Sequence, residues 1–199
     1  MKNIAVLILA AGKSSRMDSI KQLEKIGNET LLNIVLKKTK SVFSDTVYCV
    51  LGANSKLIKT QIKTKNIQFI ENTNFEEGLS SSIVTGIKFL NTKNLNLDGI
   101  LILLADQPAI EIAYLQDLYT LFNKKSNNII ASKYDDKFGV PAIFPQKYFS
   151  DLLLIKGDKG AKEFINQRKN EIIHPKTTTN LIDLDTKEDL NHFKKSILK

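Results

Sequence analysis

Short apolar runs rich in β-branched residues alternate with longer amphipathic stretches along the first two thirds of the chain. Runs of this length predict buried strands, and they cover residues 4–9, 46–51, 66–70, 100–104 and 128–131. Apolar residues recur at helical spacing clearly over 31–42 and 80–90, and weakly over 56–62. Strands that alternate with such helices are typical of a mostly parallel sheet covered by helices.

The pattern loosens after the run ILILLADQP. Helical spacing indicates helices over 113–122, 159–167 and 186–197, and an extended segment over 140–144. At 199 residues a single hydrophobic core can still grow. We therefore predict one domain over 1–199, a three-layer, Rossmann-like α/β fold with an elaborated C-terminal half.

Composition and charge narrow the class of ligand. Hydrophobic residues make up 42% and charged residues 25% of the chain, as in ordinary globular proteins. Lys and Arg outnumber Asp and Glu by 29 to 21. The lysines are scattered, without the basic run and interleaved aromatics that a nucleic-acid surface shows. We expect small phosphate-bearing ligands and no nucleic acid.

The termini and the single cysteine indicate the compartment. Cys49 lies in the apolar run VYCVL, which predicts a buried thiol and excludes a disulfide within the chain. The apolar start MKNIAVLILAAG is short and continues into a polar loop instead of a cleavage site. No apolar run approaches the roughly 18 residues of a membrane span. We predict a cytoplasmic protein without a membrane partner.

Two strand ends carry the polar groups that a ligand site needs. In parallel sheets, ligands bind beyond the carboxyl ends of strands, here the loop after Leu9 and the segment ADQP after Leu104. The first loop combines a glycine, hydroxyls and cations that suit a polyphosphate, namely Gly12, Ser14, Ser15, Lys13, Arg16 and Lys21. The second offers Asp106, a hard oxygen ligand for Mg²⁺.

Each of these signals also has a structural interpretation. The loop matches neither GxxxxGK[ST] nor GxGxxG, and glycine with serine after a strand is often only a turn. Asp106 is also suited to a turn or a helix cap. Asp185 stands beside a capping box formed by Thr186 and Asp189. The histidines, His174 and His192, lie among polar residues and are expected at the surface.

Six segments together resemble one protein family. In order along the chain they are LAAGKSSRM with Lys21, EEGLSSSIVTGI, LLADQP, GVPAIF, GDKGAK and DLDTKEDL. The same order occurs in molybdenum cofactor cytidylyltransferases, so the chain resembles the cytidylyl branch of the MobA-like nucleotidyltransferase superfamily. The resemblance covers residues 4 to about 190 and implies a fold of the nucleotide-diphospho-sugar transferase type.

The resemblance implies a reaction and a donor site. The terminal phosphate of molybdenum-carrying molybdopterin attacks the α-phosphate of CTP, which gives molybdopterin cytosine dinucleotide and pyrophosphate. By the family motif, Arg16 holds the leaving phosphates and Lys21 reaches the α-phosphate. The backbone of Leu9, Ala10, Ala11 and Gly12 binds the nucleotide. Ala11 stands where guanylyl-transferring relatives carry a second glycine, which favours cytosine.

The resemblance also assigns the remaining site residues. Ser80 and Ser81 contact the base or ribose, and Asp106 acts in catalysis by holding the Mg²⁺ cofactor together with Asp185. Asp183 is an outer or substitute ligand. The acceptor side includes Gly139, Pro141, Asp158 and Gly160, which lie in the segments associated with the pterin.

Departures from the family pattern leave the acceptor open. Val140 stands where a histidine is common, Asp18 where a glycine follows the methionine, and Ile20 where a proline precedes the lysine. The alternatives are guanylyl transfer, transfer to a sugar phosphate, or a non-catalytic chaperone that holds the molybdenum cofactor. A molybdenum hydroxylase or its chaperone is the expected protein partner of the product.

Overall fold

A seven-stranded sheet runs through the computed structural model, which describes residues 1–14, 16–17 and 19–196. The strands in chain order are β1 Ile4–Ala10, β2 Lys25–Ile26, β3 Glu29–Thr30, β4 Val47–Leu51, β5 Gln68–Glu71, β6 Gly99–Leu104, β7 Ile129–Tyr134, β8 Lys137–Pro145 and β9 Ile172–Ile173. The large sheet has the order β5-β4-β1-β6-β8-β7-β9, and β2 pairs separately with β3.

The large sheet is mostly parallel, as the sequence predicts. β1 pairs in parallel with β4 and β6, β4 with β5, and β7 with β9. β8 runs antiparallel to both of its neighbours, β6 and β7. All seven residues of β1 are buried. The run is continuously apolar because helices cover both faces of the sheet.

Helices cover both faces of this sheet. They are α1 Leu31–Phe43, α2 Ser55–Gln61, α3 Leu79–Thr92, α4 Ile112–Lys124, α5 Phe149–Leu152, α6 Ala161–Asn166 and α7 Lys187–Ser196. Buried apolar residues of α1, α2 and α4 belong to one cluster with the sheet, and those of α3, α5 and α6 belong to another. The predicted three-layer α/β architecture is therefore confirmed.

The packing of α3 against β1 places the start of α3 near the end of that strand. Ile83, Ile87 and Leu90 are buried on one side of the helix. Gly86 permits the close approach, because a Cβ atom there would lie 2.7 Å from Leu7 Cδ1. Each aliphatic side chain buried in this way contributes on the order of 2 kcal/mol.

Every predicted strand and helix is present, with changes at the ends. The predicted helix 159–167 is shorter, because the backbone of Gly160 has φ +55° and α6 begins only at Ala161. The extended segment 140–144 is part of the longer β8. The last residue of the predicted helix 186–197, Ile197, lies outside the described residues.

Cys49 is fully buried, as predicted. Burial raises the pKa of its thiol far above the ordinary value, so the protonated form persists at neutral pH. Within the described ranges, no helix combines the length and apolar character needed to cross a membrane.

Candidate active site

The carboxyl ends of β1 and β6 lie side by side. Leu9 pairs with Leu104 in the parallel register, and the backbone N–H of Ala105 donates to the carbonyl of Leu9 at 3.1 Å. The two loops that follow therefore start from adjacent points of one sheet edge. This is where open α/β sheets bind their ligands.

Gln22 anchors the loop that follows β1. Its side chain is 5% exposed, and Nε2 donates to the carbonyls of Ala10 at 3.0 Å and Gly12 at 3.1 Å. Ser14 Oγ donates to Gln22 Oε1 at 3.2 Å and accepts from the backbone N–H of Lys21 at 3.0 Å. These bonds tie the loop to the segment that carries Lys21.

Lys21, in the segment that follows β1, contacts two carboxylates. Its Nζ lies 2.6 Å from Asp106 Oδ2 and 2.8 Å from Asp185 Oδ1. Arg16 Nη1 contacts the other oxygen of Asp185 at 2.9 Å. The side chain of Lys21 is 16% exposed and that of Arg16 is 68% exposed. Lys21 therefore forms the inner and Arg16 the outer cation of the site.

These ion pairs keep the inner groups charged. Burial alone would lower the pKa of Lys21, but the adjacent Asp106 and Asp185 outweigh burial and the pKa is raised. Burial alone would raise the pKa of Asp185, but Lys21 and Arg16 outweigh it and the pKa is lowered. At neutral pH the site therefore holds fixed positive and negative charges close together.

Asp183 lies in a different environment. Burial and then the negative charge of Asp106 raise the pKa of its carboxyl, against a hydrogen bond from Gln107. Gln107 Nε2 donates to Asp183 Oδ1 at 2.8 Å. Asp183 is thus held by an amide, whereas Asp185 is held by two cations.

A cleft of about 470 Å³ opens over these charges. It is lined by Leu9, Ala10, Ala11, Gly12, Lys13, Ser14, Arg16, Lys21, Gln22, Phe75, Gly78, Leu79, Ser82, Leu104, Ala105, Asp106, Asp158, Asp183 and Asp185. We call this space the first cleft. A Cβ atom at Gly12 would meet nothing within 4 Å, so the backbone at this position borders open space.

A second pocket of about 660 Å³ shares a wall with the first cleft. Residues that line both are Leu9, Leu79, Leu104, Asp158 and Asp183. The second pocket continues along β7, β8 and the start of α6, where Tyr134, Phe138 and Lys162 line it. Two adjoining spaces with a common wall suit two substrates that exchange a group.

Most of the predicted site residues lie at these two spaces. The first cleft is lined by Leu9 to Gly12, Arg16, Lys21, Asp106 and Asp185. Of the predicted acceptor residues, Gly139 and Asp158 line the second pocket. Pro141 and Gly160 are absent from the described linings of both spaces. Instead, Gly160 lies against Leu79, whose Cδ2 would be 2.7 Å from an added Cβ.

The two predicted serines of α3, Ser80 and Ser81, are absent from the described linings of both spaces, and the buried Oγ of Ser80 has no hydrogen-bond partner among the described residues. The N–H of Ser80, which is 1% exposed, donates to the carbonyl of Gly157 at 3.1 Å. Ser81 Oγ donates to the carbonyl of Gly78 at 2.8 Å. Ser82 is the serine of this run that lines the first cleft. Ser15 and Asp18, which the sequence also singled out, lie outside the described residues.

Several residues of the site carry no recognisable sequence signal. Gln22 and Phe75 of the first cleft and Tyr134 of the second pocket are examples. Gln107 lies in the predicted segment ADQP, but the segment gives it no role. Gln22 and Gln107 act through bonds to distant groups, such as the contact of Gln107 with Asp183. The apolar spacing that predicts helices and strands holds no information about such bonds.

The carboxylates of the first cleft fit a hard divalent cation. Asp106 Oδ1 is buried and has no hydrogen-bond partner among the described residues. Mg²⁺ is usually bound by one or two carboxylates together with substrate phosphates, which Asp106 and Asp185 match. Throughout the described part of the chain, no group of three or more His, Cys, Asp or Glu residues is placed to hold a metal ion by itself.

Comparison with known proteins identifies relatives of the chain. Residues 6–172 match the family of MobA-like NTP transferase domains. The purine catabolism protein PucB of Bacillus subtilis (strain 168) is 26% identical over 204 residues, with 96% of each chain covered. The bifunctional protein GlmU of Ruthia magnifica subsp. Calyptogena magnifica is 30% identical over 141 residues, which is 70% of this chain. The match spans only 30% of that GlmU.

Solved structures share the whole fold. The homolog of Mycobacterium tuberculosis Rv0371c from Mycobacterium sp. strain JC1 superposes with a TM-score of 0.84 at 23% identity, covering 98% of this chain and 96% of that one. Rv0371c of Mycobacterium tuberculosis H37Rv, in a complex with manganese, gives 0.76 at 22% identity over 98% and 99% of the chains.

Proposed function

The chain belongs to the MobA-like NTP transferase family, and from this premise we propose that it transfers a cytidylyl group from CTP to the terminal phosphate of molybdopterin that carries molybdenum. It is a nucleotidyltransferase by family, so an NTP is its donor substrate. The observation that carries the proposal is the Lys21 ammonium held between Asp106 and Asp185 in the first cleft. The products are molybdopterin cytosine dinucleotide and pyrophosphate.

The first cleft supplies the charges that the donor triphosphate requires. Lys21 would contact the α-phosphate, where negative charge accumulates, and Arg16 the leaving β- and γ-phosphates. The attacking phosphate oxygen is already an anion, so the reaction needs alignment and charge neutralisation more than a base. No covalent link to the protein is formed. The new bond joins the acceptor phosphate to the α-phosphorus as the bond to pyrophosphate breaks.

Asp106 and Asp185 are the residues that would hold Mg²⁺. When bound, the ion neutralises phosphate charge and aligns the triphosphate. The unpartnered Asp106 Oδ1 supports this role, and Rv0371c in complex with manganese shows that a protein of this fold takes up a divalent ion. Binding of Mg²⁺ with CTP would require Lys21 to exchange its carboxylate partners for phosphate oxygens.

The second pocket would take the molybdopterin acceptor. Gly139 and Asp158 line it, and Asp158 also borders the first cleft. The common wall brings an acceptor phosphate close to the donor. A carrier that only delivers the molybdenum cofactor has no use for the paired charges of Lys21, Asp106 and Asp185, which favours the transferase over the chaperone.

Preference for cytosine rests on Ala11, which lines the first cleft. We predict that CTP binds at least about tenfold more tightly than GTP in the presence of Mg²⁺, a difference of ~1.4 kcal/mol. A base pocket discriminates because the wrong base leaves buried hydrogen-bonding groups unpaired. Titration calorimetry with each nucleotide measures the difference, and equal affinity or a preference for GTP would contradict cytidylyl transfer.

The complete reaction is tested by product analysis. The protein is incubated with Mg²⁺, molybdenum-carrying molybdopterin and each of the four NTPs in turn. We expect a dinucleotide and pyrophosphate with CTP. A dinucleotide formed mainly from GTP would support the guanylyl alternative. Turnover with a sugar phosphate but not with molybdopterin would contradict the proposed acceptor. It would still agree with the proposed donor site.

A further inference from the structure

The side-chain amide of Gln107 has a hydrogen-bonding capacity that the fold leaves unused. Gln107 is 1% exposed and lines the second pocket. Its Nε2 donates to Tyr134 Oη at 2.9 Å and to Asp183 Oδ1 at 2.8 Å. Its Oε1 is buried and has no partner within the described part of the chain. A buried acceptor without a partner is unfavourable, so one that belongs to a pocket residue marks a place for a donor.

The orientation of this amide is determined by its neighbours. Besides Asp183, Nε2 also faces the carbonyl of Leu181 at 3.3 Å, and carboxylates and carbonyls only accept hydrogen bonds. The hydroxyl proton of Tyr134 is donated to the carbonyl of Val140, so Tyr134 Oη also accepts from Gln107. A flipped amide would place Oε1 against these acceptors. Oε1 is therefore the atom with free capacity.

The pocket beside Gln107 has both apolar and charged sides. Ile83, Ile102, Leu104 and Phe138 contribute apolar and aromatic walls. Ligand pockets of this kind combine an apolar lining with a few polar groups that fix orientation. A ring held between such walls would meet Gln107 through its edge.

We infer that Gln107 determines acceptor specificity, because its Oε1 accepts a hydrogen bond from an N–H or amino group on the edge of a flat heterocyclic acceptor. The inference rests on the proposed function, since it takes the second pocket as the acceptor side. A ring without such a donor would leave Oε1 unpaired, and sites that hydrogen-bond a substrate reject analogues that lack the partner group.

The test compares two bicyclic ring probes, pterin and 1,3-dimethyllumazine. Pterin carries a ring N–H and an amino group, whereas dimethyllumazine has the same ring skeleton without any N–H. Dissociation constants of the 199-residue chain for each probe are measured by fluorescence titration. We expect pterin to bind the wild type about tenfold more tightly, as a buried unpaired acceptor predicts.

Gln107→Met removes the acceptor while keeping a side chain of similar length. The ratio of the two dissociation constants should fall close to one in this variant. The methyl groups of dimethyllumazine also add bulk, but a purely steric preference would survive in Gln107→Met. A ratio unchanged by Gln107→Met would therefore overturn the inference.

Tyr134→Phe is the matched control for disturbance of the network. It deletes a partner of Gln107 Nε2 but leaves Oε1 in the chain. We expect the ratio for this variant to stay near that of the wild type, even if both affinities shift. Collapse of the ratio in Tyr134→Phe as well would assign the effect to the network and overturn the role of Oε1. Melting temperatures verify that both variants fold.

If Gln107→Met does not fold, Gln107→Leu, which also lacks the acceptor, replaces it in the comparison. Equal binding of both probes by the wild type, or no binding of pterin by the wild type, would overturn the inference. Calorimetry with CTP is independent of either result, because the donor binds in the first cleft. If the protein binds CTP but does not distinguish the two rings, the role of Gln107 would be contradicted. The proposed nucleotidyl transfer would still stand.

Discussion

At the scale of single residues, the central feature is a lysine held by two aspartates. Lys21 contacts Asp106 and Asp185 at 2.6 and 2.8 Å, and the carboxylates come from loops far apart in the chain. Each aspartate alone has a structural explanation as a turn or cap residue. Their meeting on one ammonium group is what favours a site for phosphates and a divalent ion.

Asp106→Asn separates these two interpretations. Asparagine keeps the size of the side chain and also suits turns, but it removes the charge that would hold Mg²⁺. We expect transfer to fall by at least about a hundredfold with little change in melting temperature. The exposed Asp45 provides the control, since Asp45→Asn should retain full activity. Near wild-type turnover of Asp106→Asn across a range of Mg²⁺ concentrations would contradict the metal role.

Lys21→Met should have opposite effects on metal binding and on activity. Without the ammonium group, Asp106 and the Oδ1 atom of Asp185 are released to bind a cation, while Arg16 still contacts Asp185 Oδ2. Mn²⁺ should therefore bind the nucleotide-free variant more tightly than it binds the wild type. Transfer should nevertheless be lost, because the α-phosphate loses its cation. Electron paramagnetic resonance of free Mn²⁺ measures the affinity.

Lys13→Met is the matched control for Lys21→Met. It removes the same charge from the first cleft, but Lys13 pairs with Glu76 and leaves the carboxylates of Asp106 and Asp185 with Lys21. Its Mn²⁺ affinity should change less. Equal increases of Mn²⁺ affinity in Lys21→Met and Lys13→Met would show that overall charge, and not release of the carboxylates, governs metal binding.

At the scale of elements, the sequence predicts the strands and helices but not the bonds that shape the loops. β1 and β6 are apolar runs because helices cover both faces of the sheet. Their positions can therefore be predicted from the sequence. The early end of α6 depends on the backbone of Gly160 at φ +55°, which apolar spacing does not reveal. Gln22 reaches back to Ala10 and Gly12, and only the folded chain brings these groups together.

Gln22→Ala tests how the loop after β1 is held. The substitution leaves the carbonyls of Ala10 and Gly12 without their side-chain donor, which should cost roughly 1–3 kcal/mol in the free energy of unfolding. The KM for the nucleotide should rise, because the loop lines the first cleft. Denaturant unfolding and steady-state kinetics measure both effects. Gln61→Ala, at an exposed position of α2, should change neither, and equal effects in both variants would contradict the anchoring role.

At the scale of the whole molecule, two spaces meet over one sheet edge. The formal net charge of +8 agrees with phosphate-bearing ligands, but it does not locate them. Topology brings the candidate residues together, because β1 and β6 are parallel neighbours and the loops that follow them carry the opposite charges. Of the residues that the family motif singles out, Leu9 to Gly12, Arg16, Lys21, Asp106 and Asp185 line the first cleft, and their roles stay predictions. Pro141 and Gly160 lie outside the described lining of the second pocket.

In the proposed reaction, the α-phosphate of CTP passes to molybdopterin. The most direct measurement follows two labels, one on the α-phosphate and one on the γ-phosphate of CTP, in reactions with Mg²⁺ and molybdenum-carrying molybdopterin. For cytidylyl transfer, we expect the α-label in a dinucleotide and the γ-label in pyrophosphate, in equal amounts. Release of the γ-label as inorganic phosphate, or no transfer of the α-label to molybdopterin, would contradict it.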